Sequence, residues 1–188
     1  MSLTLVANKG LDSAEVPADD IPRTRVELEL MKRCGPVLKT LAWYPTHRIK
    51  NQSGFGKFLV ESTHHCPNLV NLTLASSNTW EGNEALPLLS ATSGSVYRQW
   101  ESLQLAGYWS GEATFHWIET HLRTCLSTLD LLDSPRMRGR RVQSLLCSLP
   151  VLEVFAATWI QEIDVLEDPR PWTCTGLVDL KICVVLSL

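Results

Sequence analysis

One pattern recurs six times along this chain and constrains its fold more than any other feature. The segments share the form apolar-x-x-apolar-x-apolar and lie at residues 38–43, 69–74, 100–105, 126–131, 152–157 and 177–182. Their fourth positions are spaced 31, 31, 26, 26 and 25 residues apart. A spacing of this size, held along a chain, indicates that one small structural unit is stacked repeatedly.

The last two apolar positions of each segment are separated by one residue, so both side chains point to the same face of a short strand. One such strand cannot bury its face alone, and we therefore expect the strands to stack into a parallel sheet. The predicted strands are 40–44, 71–75, 102–106, 128–132, 154–158 and 179–183.

The intervals between strands carry helical spacing of apolar residues. Three helical faces are predicted, formed by Phe55, Phe58, Leu59 and Ser62, by Ile118, Leu122 and Cys125, and by Val142, Leu145, Leu146 and Leu149. Alternating strand and helix at this period predicts an α/β leucine-rich-repeat solenoid of about six repeats, with a parallel concave sheet and convex helices.

The domain organisation follows from the extent of the pattern. Residues 1–188 form one leucine-rich-repeat domain, in which 26–188 are repeats and 1–25 are an irregular or partial N-terminal repeat, with residues 2–5 a vestige of an earlier strand. Residues 182–188 are apolar and uncharged and follow the last strand directly. This is an unprotected sheet edge, so we expect the chain to be a fragment of a longer solenoid or to be covered there by another chain.

The six cysteines follow the repeat. Just before the strands stand Cys34, Cys66, Cys125, Cys147 and Cys174, where a small apolar side chain is expected to be buried. There is no Cys-x-x-Cys pair, so a zinc site is not predicted. The N-terminus lacks the features of a signal peptide, which predicts reduced thiols and a cytoplasmic or nuclear location.

Several functions are excluded by composition and spacing. A net charge of −3 does not fit a nucleic-acid binder, and no apolar run approaches the roughly 20 residues of a membrane span. A phosphate loop at Ser53–Lys57 fails because Asn51 and Phe58 replace the required glycine and hydroxyl residues. His116 and His121 are five residues apart, which separates them on a helix. We predict no catalytic residue, no metal site and no cofactor.

The arginines at 136, 138, 140 and 141 form the only basic run. Such a run is typical of an acidic-partner contact or a localisation signal, or of a solvated start to a helix on the convex face. We prefer the solvated helix.

The last two apolar residues of each segment are here called the anchors. The strand residues that alternate with them point to the concave face and are small and mostly neutral. Aromatic residues follow at or just after the strand ends, where they are typical anchors of protein interfaces or else cover the strand ends. The predicted partner-binding residues on this face and its rim are Tyr44, Asn71, Thr73, Gln104, Tyr108, Trp109, Asp130 and Trp159.

The run Cys66-Pro-x-Leu-x-x-Leu-x-Leu74 resembles the cysteine-containing repeats of F-box substrate receptors, and residues 171–180 look like a segment of large fungal F-box and leucine-rich-repeat proteins. The resemblance covers roughly residues 30–188 and implies that the repeats hold a protein substrate. In that family an F-box docks on the adaptor of an SCF ubiquitin ligase, but no F-box is recognisable here. We expect a non-catalytic interaction module, with the repeat region of such a receptor as its specific form. The alternative is a structural or truncated repeat fragment without independent function.

Overall fold

The computed structural model describes residues 1–6, 21–44, 61, 63–75, 89–90, 99–107, 111–132, 137–160 and 169–185. Within these residues a single parallel sheet contains seven strands. The strands are β1 (Ser2–Val6), β2 (Thr40–Tyr44), β3 (Asn71–Ala75), β4 (Ser102–Ala106), β5 (Thr128–Leu131), β6 (Val154–Ile160) and β7 (Asp179–Val185). Each strand pairs with the one before it in the chain, so the spatial order is the sequence order. The predicted α/β class and parallel sheet are confirmed.

Three α-helices connect strands in the described part of the chain: α1 (Ile21–Cys34), α2 (Glu112–His121) and α3 (Gly139–Ser148). The predicted apolar faces of α2 and α3 are confirmed. Ile118 and Leu122 are buried, as are the four predicted residues of α3 and its C-terminal turn, whereas Cys125 is only partly buried. The third predicted face, formed by Phe55, Phe58, Leu59 and Ser62, lies outside the described residues.

The core is built on aligned rows of anchor side chains. One row runs across the inner strands through Leu41, Leu72, Leu103, Leu129 and Phe155, which are register partners in successive pairs. Each is at most 1% exposed. The helix residues pack into the same cluster, so the helices cover the anchor face of the sheet and leave the opposite face uncovered by them.

Burial falls at both ends of this row. Leu3 of β1 is partly buried, and Leu180 of β7 is 39% exposed. Both residues have the same chemistry as the inner anchors, but among the described strands each has only one neighbour. Position in the stack, and not residue type, therefore decides how much surface an anchor buries.

The expectation of an earlier strand at residues 2–5 is confirmed, because Ser2–Val6 forms β1 and pairs with β2 from Ser2 opposite Thr40 to Val6 opposite Tyr44. The described sheet therefore has one strand more than the six that the main pattern predicts. Residues 1–25 are thus not simply irregular, since they contain β1 and the start of α1. β5 ends one residue earlier than predicted, and β6 and β7 each extend two residues further.

Two glycines are required by their backbone surroundings. A Cβ at Gly35 would lie 2.1 Å from the carbonyl oxygen of His65, so the turn after α1 approaches the next segment as closely as only glycine allows. Gly107 has a φ of 74° directly after β4, a left-handed conformation in which glycine carries no Cβ penalty.

The cysteines divide into three groups by burial, although the repeat predicted the same burial for five of them. Cys66 and Cys174 are buried, but Cys34, Cys125 and Cys147 are only partly buried and Cys183 is exposed. Cys66 packs with its sulfur 3.9 Å from that of Met31, and burial, followed by the neighbouring Cys34, raises the pKa of the Cys66 thiol to about 11. Two of the partly buried thiols lie near backbone carbonyls, Cys125 at 3.6 Å from that of Leu122 and Cys147 at 3.5 Å from that of Arg170.

Candidate partner-binding face

The face of the sheet opposite the helices is here called the ladder face, after the row of hydrogen-bonded side chains that crosses it. It consists of the strand positions that alternate with the buried anchors, because successive side chains of a strand point to opposite sides. Its described positions include Thr40, Ala42, Tyr44, Asn71, Thr73, Ala75, Ser102, Gln104, Ala106, Thr128, Asp130, Val154, Ala156, Thr158, Asp179, Lys181 and Cys183.

A chain of side-chain hydrogen bonds crosses the middle of this face. The hydroxyl of Thr73 on β3 donates to Oε1 of Gln104 on β4 over 3.3 Å. The amide nitrogen of Gln104 donates to Oδ2 of Asp130 on β5 over 3.0 Å. These three residues are register partners on adjacent strands, so the ladder arises because polar residues occupy the same position in three successive strands.

Two further hydrogen bonds lie at and beside the ladder. Asp130 accepts a second hydrogen bond at Oδ1 from the backbone N–H of Leu132, at 2.9 Å. Beside the ladder, the amide of Asn71 donates to the hydroxyl of Thr40 over 3.0 Å. All of these side chains are partly buried. Fixed rotamers reduce the side-chain entropy that would be lost on binding a partner.

The surface around the ladder has small side chains and carries little charge. Ala42 and Ala156 occupy the same strand position on β2 and β6 and are 8% and 7% exposed. The described charged positions are Asp130 near the centre and Asp179 and Lys181 on β7. Such a face can form hydrogen bonds and van der Waals contacts to another macromolecule.

The predicted aromatic rim is only partly described. Tyr44 lies at the end of β2 on the ladder face and is 39% exposed, which fits an anchor for a partner. Tyr108 and Trp109 lie outside the described residues. The interpretation that Trp159 follows the end of its strand is wrong, because β6 continues through Ile160 and pairs Trp159 with Val184.

The histidine motif on α2 has structural contacts. Glu119 accepts a hydrogen bond from the hydroxyl of Ser144 on α3 at 2.8 Å. His121 stacks on Trp117 with ring centroids 4.8 Å apart, while His116 is exposed. Across the described ranges, no three residues among His, Cys, Asp and Glu come close enough to hold a metal ion.

The described arginines of the basic run have different surroundings in the structure. Arg138 and Arg140 are exposed at the start of α3. Arg141 forms an ion pair with Glu112 of α2 and lies over the ring of Phe115, 5.9 Å from its centroid. One arginine of the run thus joins two helices, a role that sequence reasoning missed because the partners are about 30 residues away on another element.

No protein-family model, curated protein or solved structure matches this chain. In the part of the chain that the structure describes, no helix has the length and apolar character needed to cross a bilayer.

Proposed function

We propose that this protein is a non-catalytic protein-interaction module of the leucine-rich-repeat type, and that it binds its partner through the ladder face. In this proposal the ladder face is the concave side of a solenoid and the helices form the convex side. The observation that carries the proposal is the hydrogen-bonded row from Thr73 through Gln104 to Asp130. It fixes three polar side chains on a face that no described helix covers.

The energetic argument rests on preorganisation. Binding a partner costs about 0.5–1.5 kcal/mol for each flexible side chain that is immobilised. Gln104 is already held by a hydrogen bond on each side, and the adjoining alanines have no side-chain rotamers to lose. Tyr44, partly exposed at the edge of the face, adds the kind of aromatic side chain that frequently dominates protein interfaces.

A pull-down from a cell extract tests the proposal. The proteins that the parent chain retains are compared with those retained by two matched variants. Ser102→Arg places a bulky cation in the middle of the ladder face without removing a ladder hydrogen bond. Thr120→Arg adds the same side chain at an exposed position of α2 on the helix side. We expect a stoichiometric partner to be retained by Thr120→Arg and lost by Ser102→Arg, with unchanged circular dichroism in both.

Loss of the partner in Thr120→Arg with retention in Ser102→Arg would place the binding surface on the helices and contradict the proposal. If neither the parent chain nor either variant retains a stoichiometric protein, the alternative of a structural fragment without independent function is favoured.

A more specific form of the proposal is that the module is the substrate-binding repeat region of an F-box-type SCF receptor. It is supported by the resemblance of the Cys66–Leu74 run, whose Cys66, Leu69, Leu72 and Leu74 are each at most 1% exposed. Co-expression of the complete reading frame with the adaptor of an SCF ligase tests it. Co-purification of the adaptor is expected, and its absence would leave the interaction module without the ligase context.

A further inference from the structure

The end of the sheet at β7 exposes anchor side chains whose counterparts on the inner strands are buried. Leu180 is 39% exposed and Ile182 is partly exposed, and nearby Val178 and Trp172 are 81% and 43% exposed. No strand among the described residues pairs with the outer edge of β7. An open strand edge beside exposed apolar side chains is a template for pairing with another strand.

The backbone of β7 is oriented for such pairing. The N–H of Asp179 donates to the carbonyl of Glu153, on the side of β6. Because N–H and C=O groups of successive strand residues point to opposite edges, the polar groups of Leu180 and Ile182 point away from β6. These groups can form a new ladder with a strand placed against the open edge.

We propose that the strand placed there is β7 of a second copy of this chain, antiparallel to the first, with the twofold axis at Leu180. This register pairs Leu180 with its own copy, so the exposed leucines of the two copies meet on the anchor face. On the ladder face it sets Asp179 opposite Lys181 of the second copy, twice by symmetry.

Charge selects this register among its neighbours. Moving the axis by one residue toward the N-terminus sets Asp179 opposite Asp179 of the second copy. Moving it by one residue the other way sets Lys181 opposite Lys181. Like charges directly opposite each other in an antiparallel pair are destabilising, while opposite charges are stabilising. The axis at Leu180 therefore gives two favourable pairs where either adjacent register gives a repulsive one.

A second copy could also place its β1 edge against β7, and charge argues against that arrangement. The exposed residues of β1 on this face are Ser2 and Thr4, which carry no countercharge for Asp179 or Lys181. Such head-to-tail stacking continues without limit, whereas the twofold arrangement stops at two copies. The closed dimer joins two sheets edge to edge and presents both ladder faces on the same side.

Sedimentation velocity of the full chain from low to high micromolar concentration tests the proposal. We expect a monomer–dimer equilibrium without larger species. Asp179→Lys and Lys181→Asp should each raise the dimer Kd by roughly tenfold or more, because two attractive cross-strand pairs become repulsive. Both side chains are exposed, so circular dichroism should confirm that each variant retains its fold.

Two ways of combining these substitutions test the register itself. A mixture of the two single variants should form a heterodimer, since every charged pair is then opposite in sign, and the double variant Asp179→Lys/Lys181→Asp should recover the parent Kd. A parent chain that is monomeric throughout would overturn the proposal. So would single variants that dimerise like the parent, or assemblies that grow beyond the dimer.

Discussion

Truncation of Leu103 to alanine probes the row of aligned anchors on which the fold depends. Leu103 is fully buried, and its register partners Leu72 and Leu129 flank it on the two adjacent strands. The substitution removes three carbon atoms, which forfeits roughly 2–2.5 kcal/mol of transfer free energy at about 0.8 kcal/mol per methylene. Because the neighbours close the site on both sides, a cavity is left as well, and the total loss should fall within about 2–5 kcal/mol.

Leu3→Ala is the matched control, because Leu3 continues the same row on β1 with Leu41 as its single register partner. Its side chain is only partly buried, so less surface is lost and no enclosed cavity forms. We expect a loss of roughly 1–2 kcal/mol, below that of Leu103→Ala.

Urea unfolding followed by far-ultraviolet circular dichroism measures both variants, with the free energy of unfolding obtained by linear extrapolation. The two unfolding curves should share the parent slope and differ in midpoint. A loss below about 1 kcal/mol for Leu103→Ala, or a loss no larger than that of Leu3→Ala, would refute the argument that burial in this row depends on having a strand on each side.

Three further predictions follow from individual side chains. Burial raises the pKa of the Cys66 thiol in the folded state to about 11, whereas the unfolded thiol ionises near 9. Because only the unfolded state loses this proton between those pH values, the free energy of unfolding should fall there by about 2–3 kcal/mol. Urea titrations at pH 8 and 11 should show this fall, and Cys66→Ala should remove most of it. A thiol-specific reagent at pH 8 should label the exposed Cys183 well before Cys66; equal rates would contradict the burial assigned here. Arg141→Met, which breaks the ion pair with Glu112, should lower the free energy of unfolding by roughly 1 kcal/mol in urea titrations, while Arg140→Met, at an exposed site, should change it little.

The sequence by itself determined the positions of the strands and the class of the fold. Anchors such as Leu72 and Leu74 alternate with polar residues and recur at a nearly constant interval, and this local pattern specifies a strand and its buried face without knowledge of the neighbours. The alternation in residues 2–5 likewise indicated an earlier strand, and the structure has β1 there, at Ser2–Val6.

Much of the candidate site was also accessible from the sequence. Asn71, Thr73, Gln104 and Asp130 were expected on one face because they alternate with anchors, and the structure places them there. What the alternation could not supply is that Gln104 donates to Asp130 and accepts from Thr73. Hydrogen bonding depends on which strand positions lie side by side, and register is a property of the assembled sheet.

Only the tertiary structure decided which members of an equivalent set are buried. Leu129 and Leu180 occupy the same position of the same pattern, yet Leu129 is fully buried and Leu180 is 39% exposed. A repeated sequence specifies the face that each unit presents, but burial requires a neighbour on both sides. The ends of a stack lack one neighbour, whatever residues they carry.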